Sequence, residues 1–355
     1  PDGGVEFPAH ELFELVIQCM DEVLHCNERL LQKSPPAAVA TSCFWHSLLA
    51  LDADGNAQTP VLSWADNRAS QHVARLRELL DADDLHARTG CVPHTSYWPA
   101  KILWLRDNSP ELFHVSTRFA GFGEYLTLKF CGELTSSLCM ASGTGLFHQN
   151  NCDWDEDILQ SLQLSAGQLT PLCDAHDALE FSSTWKARWP QLADAKWFPP
   201  LGDGACSNVG SGCADNSRIA LNIGTSAALR VVLHDFGESA PRGLWRYRLD
   251  KNRSLLGGAI SNAGNVWAWA SQNFQLPDED EIKNIAPASH GLTVLPFLAG
   301  ERAPLWNPDA RFALIGASLD TNAAQILRAC LESVALRLLD VSQRLHAACD
   351  VSTHI

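Results

Sequence analysis

Leu201-Gly202-Asp203-Gly204-Ala205-Cys206-Ser207-Asn208-Val209-Gly210-Ser211-Gly212 decides how this chain is read, together with Gly224-Thr225-Ser226, which lies between the apolar runs 218–223 and 228–233. The first stretch is small and Gly-rich, and it reads as a strand that turns into a helix at Asp203. An aspartate between glycines at such a turn stands where backbone can approach a ligand closely. Its carboxylate is suited to take a proton from a hydroxyl that attacks a phosphoryl group. The competing reading is a turn aspartate bonded to its own backbone. The second stretch reads as strand, tight loop, strand. A turn of small residues aims several backbone N–H groups into one concavity, which suits phosphate. An ordinary hairpin is the alternative.

Outward from this centre the pattern is mixed. Residues 10–32 place Leu12, Phe13, Val16, Ile17, Met20, Val23 and Leu24 on one stripe, which predicts an amphipathic helix. Residues 37–43 follow a Pro-Pro break and read as a short strand. A helix beside a buried strand implies an α/β layer. Residues 47–51 and 59–64 flank Asp52-Ala53-Asp54-Gly55-Asn56, which has hairpin turn chemistry. Helices are expected near 69–80, 99–107 and 156–162, and an aromatic, loop-rich region over 170–200. Further on, the pattern predicts strands at 254–260 and 292–298 and a helix at 262–274. A long helix over 322–347 should carry Ala324, Ile326, Leu327, Leu331, Val334, Ala335, Leu338, Leu339 and Val341 on its apolar side. The texture changes near residue 213, so two domains are expected, 1–213 and 214–355.

Composition narrows the function. The 355 residues are enough for two cores. A net charge of −15 with no Lys/Arg cluster argues against nucleic acid and against anionic membranes as partners. No apolar run is long enough to span a bilayer, and nothing resembles a signal peptide. The 12 cysteines include no Cys-x-x-Cys pair and read as the reduced thiols of a cytoplasmic protein. Residue 1 is not Met and the chain stops just after the long helix, so both ends read as cuts. There is no Gly-x-x-x-x-Gly-Lys loop, no His-Glu-x-x-His and no Gly-x-Ser-x-Gly elbow. The acidic clusters Asp155-Glu156-Asp157 and Asp278-Glu279-Asp280-Glu281 read as solvated helix starts.

Asp203 with its glycines, Asn222-Ile223-Gly224-Thr225-Ser226, Gly257-Gly258-Ala259-Ile260-Ser261-Asn262-Ala263-Gly264 and Leu295-Pro296-Phe297-Leu298-Ala299-Gly300-Glu301-Arg302-Ala303-Pro304-Leu305-Trp306 form an ordered set that resembles the FGGY carbohydrate kinases. Upstream, Lys101-Ile102-Leu103-Trp104-Leu105-Arg106-Asp107-Asn108 resembles the family's first signature. Phe122-Gly123-Glu124-Tyr125-Leu126 and Ala141-Ser142-Gly143-Thr144-Gly145 also have counterparts. The resemblance implies a two-domain α/β fold of the ribonuclease H-like, actin-like ATPase type, with the active site in the interdomain cleft. It implies ATP with Mg2+ as cofactor and a small sugar or sugar acid as substrate. By similarity Asp203 is the base, the turn Gly224, Thr225 and Ser226 holds the ATP phosphates, and Gly264 lies near the nucleotide. Trp45 and His46 occupy the place of a polyol-contacting pair, and Trp64 and Asp66 the next substrate segment. Tyr97 aligns with a substrate aromatic. An aromatic face with polar neighbours suits a sugar on physical grounds too. Plain core packing is the alternative for Trp45 and His46.

The chain departs from the family pattern in several places. It begins after the family's first phosphate loop and stops before its adenine-covering segment, so these residues alone are expected to turn over little. Trp98 stands where the first signature has Pro, Ser or Thr. Phe312 and Ala317 break the second signature. Among substrates the resemblance favours D-gluconate, with Arg68, Arg246 or Arg248 as carboxylate partners or simply as surface arginines, and xylulose or another polyol as the alternative. A sugar-binding pseudokinase and a glycoside hydrolase are the competing classes. The hydrolase would need a second, opposed carboxylate, and none has a context comparable to Asp203. A homodimer is the base-rate expectation.

Overall fold

The computed structural model describes residues 3–115, 117–234, 239–275 and 277–349. The two chain ends, on which the reading of cut termini rests, lie outside the described residues. The chain packs as two compact units. The main break falls at Val209–Gly210. Arg246–Ser254 groups with the first unit, a return that a single cut at residue 213 does not describe. Among the described residues no helix is long and apolar enough to cross a membrane.

The first unit is built from short paired strands carried between helices. Ala38–Val39 lies parallel to Lys196–Trp197, and Ser42–Cys43 lies parallel to Leu201–Gly202. Leu49–Leu51 pairs antiparallel with Arg118–Ala120, and Val61–Leu62 with Glu6–Phe7. Between the predicted hairpin arms Asp52 forms the expected turn. Its carboxylate accepts from the amides of Asp54 and Asn56, and Gly55 takes φ +77°. The helix expected over 10–32 is interrupted at Asn27, giving Ala9–Cys26 and Glu28–Lys33. The Asn27 amide still bonds the Val23 carbonyl, and its side chain competes for the same oxygen. Competition of this kind is what makes asparagine a helix interrupter.

Two apolar masses hold this unit. One gathers Leu48, Leu62, Ile102, Phe119, Phe147 and Ile158. The other is aromatic. Phe13 of the first helix packs on Phe130 and Trp185, with ring centroids 5.1 and 5.9 Å away, and Phe181 stacks on Trp197 at 4.2 Å. The tryptophans of the loop-rich region therefore form a wall that seats the first helix.

The second unit has a sheet whose strands run in the order Ala220–Ile223, Ala227–Leu233, Ser254–Ile260. The helices Gly264–Asn273 and Ala323–Ala348 accompany it. Val231, Leu256, Val341 and Leu345 lie in one core cluster. The long helix sits where the periodicity places it, and it buries only part of the expected stripe. Ala324, Leu327, Cys330, Ser333 and Val341 are buried, whereas Leu331 is 42% and Leu339 50% exposed. The stripe contained more leucines than the helix has room to bury, so periodicity alone could not choose the face. Asn322 caps this helix by accepting from the Gln325 amide, while the Gln325 side chain accepts from the Asn322 amide. Replacing Asn322 by alanine should lower the second unit's unfolding free energy by about 1 kcal/mol. Urea unfolding followed by far-ultraviolet circular dichroism measures this, and an unchanged midpoint contradicts the cap.

Candidate functional site

The first unit presents a compact aromatic and polar cluster. Trp45 follows the strand Ser42–Cys43 and is buried, its indole N–H donating to the Cys139 carbonyl at 3.0 Å. Two glycines lie against the ring. A Cβ on Gly143 would come within 2.7 Å of Trp45 Cδ1, and one on Gly202 within 1.9 Å of Cε2. Only residues without side chains allow the backbone this close. Gly202 is registered opposite Cys43 in the parallel pair, and its amide bonds the Cys139 sulfur at 3.3 Å. The helix Asp203–Gly210 starts at the next residue. Asp203 is exposed, and its Oδ1 accepts from the Gly204 amide at 2.9 Å. The local turn bond expected of a structural aspartate is therefore present. It occupies one oxygen and leaves Oδ2 without a hydrogen bond among the described residues.

His46 adopts φ +68°, the left-handed region that a β-substituted residue seldom visits. Its Nδ1 lies 2.5 Å from the Gly143 carbonyl. A carbonyl only accepts, so the proton sits on Nδ1 and the lone pair of this tautomer is on Nε2. The imidazole stands 5.1 Å from the Tyr97 ring and 5.6 Å from Tyr247. The Tyr97 and Tyr247 hydroxyls are 2.7 Å apart, and Tyr247 packs on Trp45 at 5.0 Å. Trp45, His46 and Tyr97 are thus brought together. Tyr247 completes the group. It lies 150 residues from Tyr97 in sequence, and the sequence reading took in its stretch, Gly243-Leu244-Trp245-Arg246-Tyr247-Arg248-Leu249, only as a likeness to gluconate kinases, with no role for the tyrosine.

The remaining substrate candidates sit differently. Trp64 is half exposed, and its carbonyl accepts from Ser96, the neighbour of Tyr97. The expectation that Asp66 faces a substrate is corrected. It is 3% exposed, Oδ1 accepts from the Arg68 amide, and Oδ2 accepts from the Val5 amide and from Arg68 Nη2 at 2.6 Å. A carboxylate so saturated supports the loop and has no lone pair to offer. The arginines are corrected with it. Arg68 is tied to Asp66 and Glu6. Arg246 and Arg248 are buried, not surface residues. Arg248 donates to the carbonyls of Gln149 and Lys251. Burial and the neighbouring Arg248 push the Arg246 guanidinium down to about 10. Both alternate along the strand Trp245–Arg248 with Tyr247, so they leave the opposite face from the ring that meets Trp45.

The second unit carries the phosphate-type turn. Ala220–Ile223 and Ala227–Leu233 form an antiparallel hairpin with Ile223 opposite Ala227. The Gly224 amide bonds the Ser226 carbonyl at 2.8 Å, so it is not available to a ligand. Among the described residues the amides of Thr225 and Ser226 have no protein acceptor. The turn is docked on the first residues of the helix Gly264–Asn273. Gly264 N–H donates to the Gly224 carbonyl at 2.8 Å, and Asn265 N–H to the Thr225 carbonyl at 3.2 Å. A Cβ on Gly264 would lie 2.6 Å from the Gly224 oxygen. Gly264 is therefore a spacer that lets the helix start touch the turn.

The packing on Trp45 has a direct test. Gly202→Ala should cost about 3 kcal/mol, the upper part of the usual overpacking range, because the added carbon collides with a buried ring. Urea unfolding read by tryptophan emission measures it. Wild-type stability in this variant would show that the indole is not pinned there.

Known proteins resemble this chain along nearly its whole length. The sequence profile of the N-terminal domain of the FGGY family of carbohydrate kinases matches residues 2–186, and that of its C-terminal domain matches residues 219–354. The gluconokinase of Bacillus subtilis (strain 168) is 28% identical over 345 residues, covering 90% of this chain and 66% of that protein. The chain thus spans about two thirds of the length of that curated relative. Two solved structures from Lactobacillus acidophilus, a gluconate kinase and a ligand-bound xylulose kinase, each superpose with a TM-score of 0.86 at 28% identity, covering 97% of this chain and 70% of theirs. The expected mixed α/β architecture is therefore that of the sugar kinases with the actin-like ATPase fold, and the chain belongs to the FGGY family of carbohydrate kinases.

Proposed function

We propose that the protein carrying this chain transfers the γ-phosphoryl group of ATP to a hydroxyl of a small sugar or sugar acid. The observation that carries this reading is the Trp45, His46, Tyr97 and Tyr247 cluster, joined through Gly202 to the exposed carboxylate of Asp203. The half-buried His46 imidazole is suited to bond a sugar hydroxyl, while the buried Trp45, Tyr97 and Tyr247 rings hold it in place. D-gluconate is the first candidate, since relatives named for gluconate match along nearly the whole chain. Xylulose is the second, since a relative named for it superposes equally well.

Asp203 acts as the base. Its Oδ1 is held by the Gly204 amide, which orients Oδ2 to accept the proton of the attacking hydroxyl. The amides of Thr225 and Ser226 fit phosphate oxygens, because they are donors without a protein acceptor at a turn fixed on a helix start. Mg2+, when bound with the nucleotide, would supply charge neutralisation for the transfer. Among the described residues no group of three or more His, Cys, Asp or Glu side chains is placed to hold a metal ion. Catalysis then rests on positioning and preorganised donors rather than on covalent chemistry with the protein.

The experiments separate the two halves. In an assay of ATP-dependent phosphorylation of gluconate, xylulose and glycerol, Asp203→Asn should lower kcat by about 10²–10⁴ with little change in sugar affinity. A drop under tenfold removes Asp203 from the role of base. In calorimetry His46→Ala should weaken sugar binding without affecting Mg-ATP. Gly264→Ala should weaken Mg-ATP binding and spare the sugar. Equal loss of both ligands in either variant would mean that the substitution disturbs folding rather than a site.

A further inference from the structure

Lys101 is 1% exposed and sits in the helix Trp98–Asn108 beside the apolar mass of Ile102 and Leu103. A buried ammonium is costly unless every donor is used. Its Nζ donates to the His46 carbonyl at 2.7 Å and to the Ser63 carbonyl at 2.8 Å. These two oxygens belong to the two segments that precede Lys101 in the aromatic site, Trp45-His46 and Ser63-Trp64. One turn earlier on the same helix, Trp98 Nε1 donates to the Ser47 carbonyl at 2.8 Å. Positions three apart share a helix face. The helix therefore holds consecutive carbonyls, those of His46 and Ser47, from one side.

What is held there is strained. His46 has φ +68°, and such a conformation persists in a non-glycine residue only when its surroundings over-determine it. The imidazole is tied to Gly143 and the carbonyl to Lys101, so the backbone is fixed from both ends. We propose that Lys101 is the positioning residue of the sugar site, holding His46 in its left-handed conformation and locking the Trp64 segment to it. This rests on the reading of the Trp45-His46 cluster as the place where sugar binds. Burial pushes the Lys101 amine down to about 7, and the charge of Asp66 opposes that shift. The clamp does not depend on the proton, because a neutral amine keeps two N–H groups for the two carbonyls. A methionine of similar length fills the space and supplies no donor. A serine or threonine would reach neither oxygen.

The test is sugar binding by calorimetry in wild type, Lys101→Met, Lys101→Ala and His46→Ala, with Mg-ATP binding and the thermal melt measured on each sample. Lys101→Met should weaken binding of gluconate or xylulose by about 10- to 100-fold, the loss of two buried hydrogen bonds, and leave Mg-ATP affinity unchanged. In Lys101→Ala, n-propylammonium replaces the missing three carbons and nitrogen and should restore sugar affinity. 1-Propanol, with a single donor, should not. Wild-type sugar affinity in a folded Lys101→Met overturns the proposal while leaving the sugar-site reading intact. If His46→Ala binds sugar like wild type, the sugar-site reading fails and takes this proposal with it. If Lys101→Met does not fold, the alanine variant decides. Recovery of its melt in propylammonium without recovery of sugar affinity makes Lys101 a core residue only, and overturns the proposal.

Discussion

The indole of Trp45 meets backbone at Gly202 and Gly143, with its N–H spent on the Cys139 carbonyl. Much of the first unit's site depends on this contact. Gly202 can approach only because it lacks a side chain, and it is the residue before Asp203. The place of the carboxylate is therefore set by where the ring lies. The ring in turn is set by the parallel pairing of Ser42–Cys43 with Leu201–Gly202, which brings two segments far apart in sequence into register. A shift of one residue in that pairing would move every side chain to the other face, and with it the ring that the glycines accommodate.

Around this contact the buried polar groups carry the remaining precision. Glu124 is fully buried, its carboxyl pushed up by desolvation, and Oε1 accepts from the Ser136 hydroxyl. Ser47 receives Trp98 Nε1 on its carbonyl and the Phe122 amide on its hydroxyl oxygen. Lys101 takes two carbonyls and Arg248 takes two more. An unpaired polar group inside a protein costs more than a made bond returns, so each of these networks selects one arrangement of the loops it touches. The loops concerned carry Trp45, His46, Trp64 and Tyr97. Rigidity at these positions comes from below, from helices and buried donors, rather than from strand length, since the strands of this unit are short. That agrees with the general finding that binding residues ride on loops fixed by a scaffold.

The second unit solves a simpler problem with local means. A hairpin turn must present amides outward, and a helix start must hold it still. Gly224 gives its own amide to close the turn and its carbonyl to the helix start, while Gly264 provides the room. The donors that remain, at Thr225 and Ser226, are those that the turn geometry cannot satisfy by itself. A positive helix start behind such amides favours anions.

Sequence alone was enough for whatever depends on neighbours along the chain. The strand-to-helix turn at Asp203, the hairpin around Gly224-Thr225-Ser226, the Asp52 turn and the extent of the long helix all follow from glycine placement, turn chemistry and periodicity. The ordered motifs also identified the family, because their spacing reflects one fold. The tertiary structure decided the rest. Tyr247 joins Tyr97 across 150 residues, Lys101 spans 55 residues to His46 and 38 to Ser63, and Asp66 goes to Arg68 and Val5 instead of to a ligand. Periodicity found the buried face of the long helix only in part, with Ala324, Leu327 and Val341 buried as expected, Leu331 and Leu339 outward, and Cys330 and Ser333 inward. The reason is the same in each case. A dihedral preference is set by the residue and its neighbours, whereas a hydrogen-bond partner or a buried face is set by which other element arrives there.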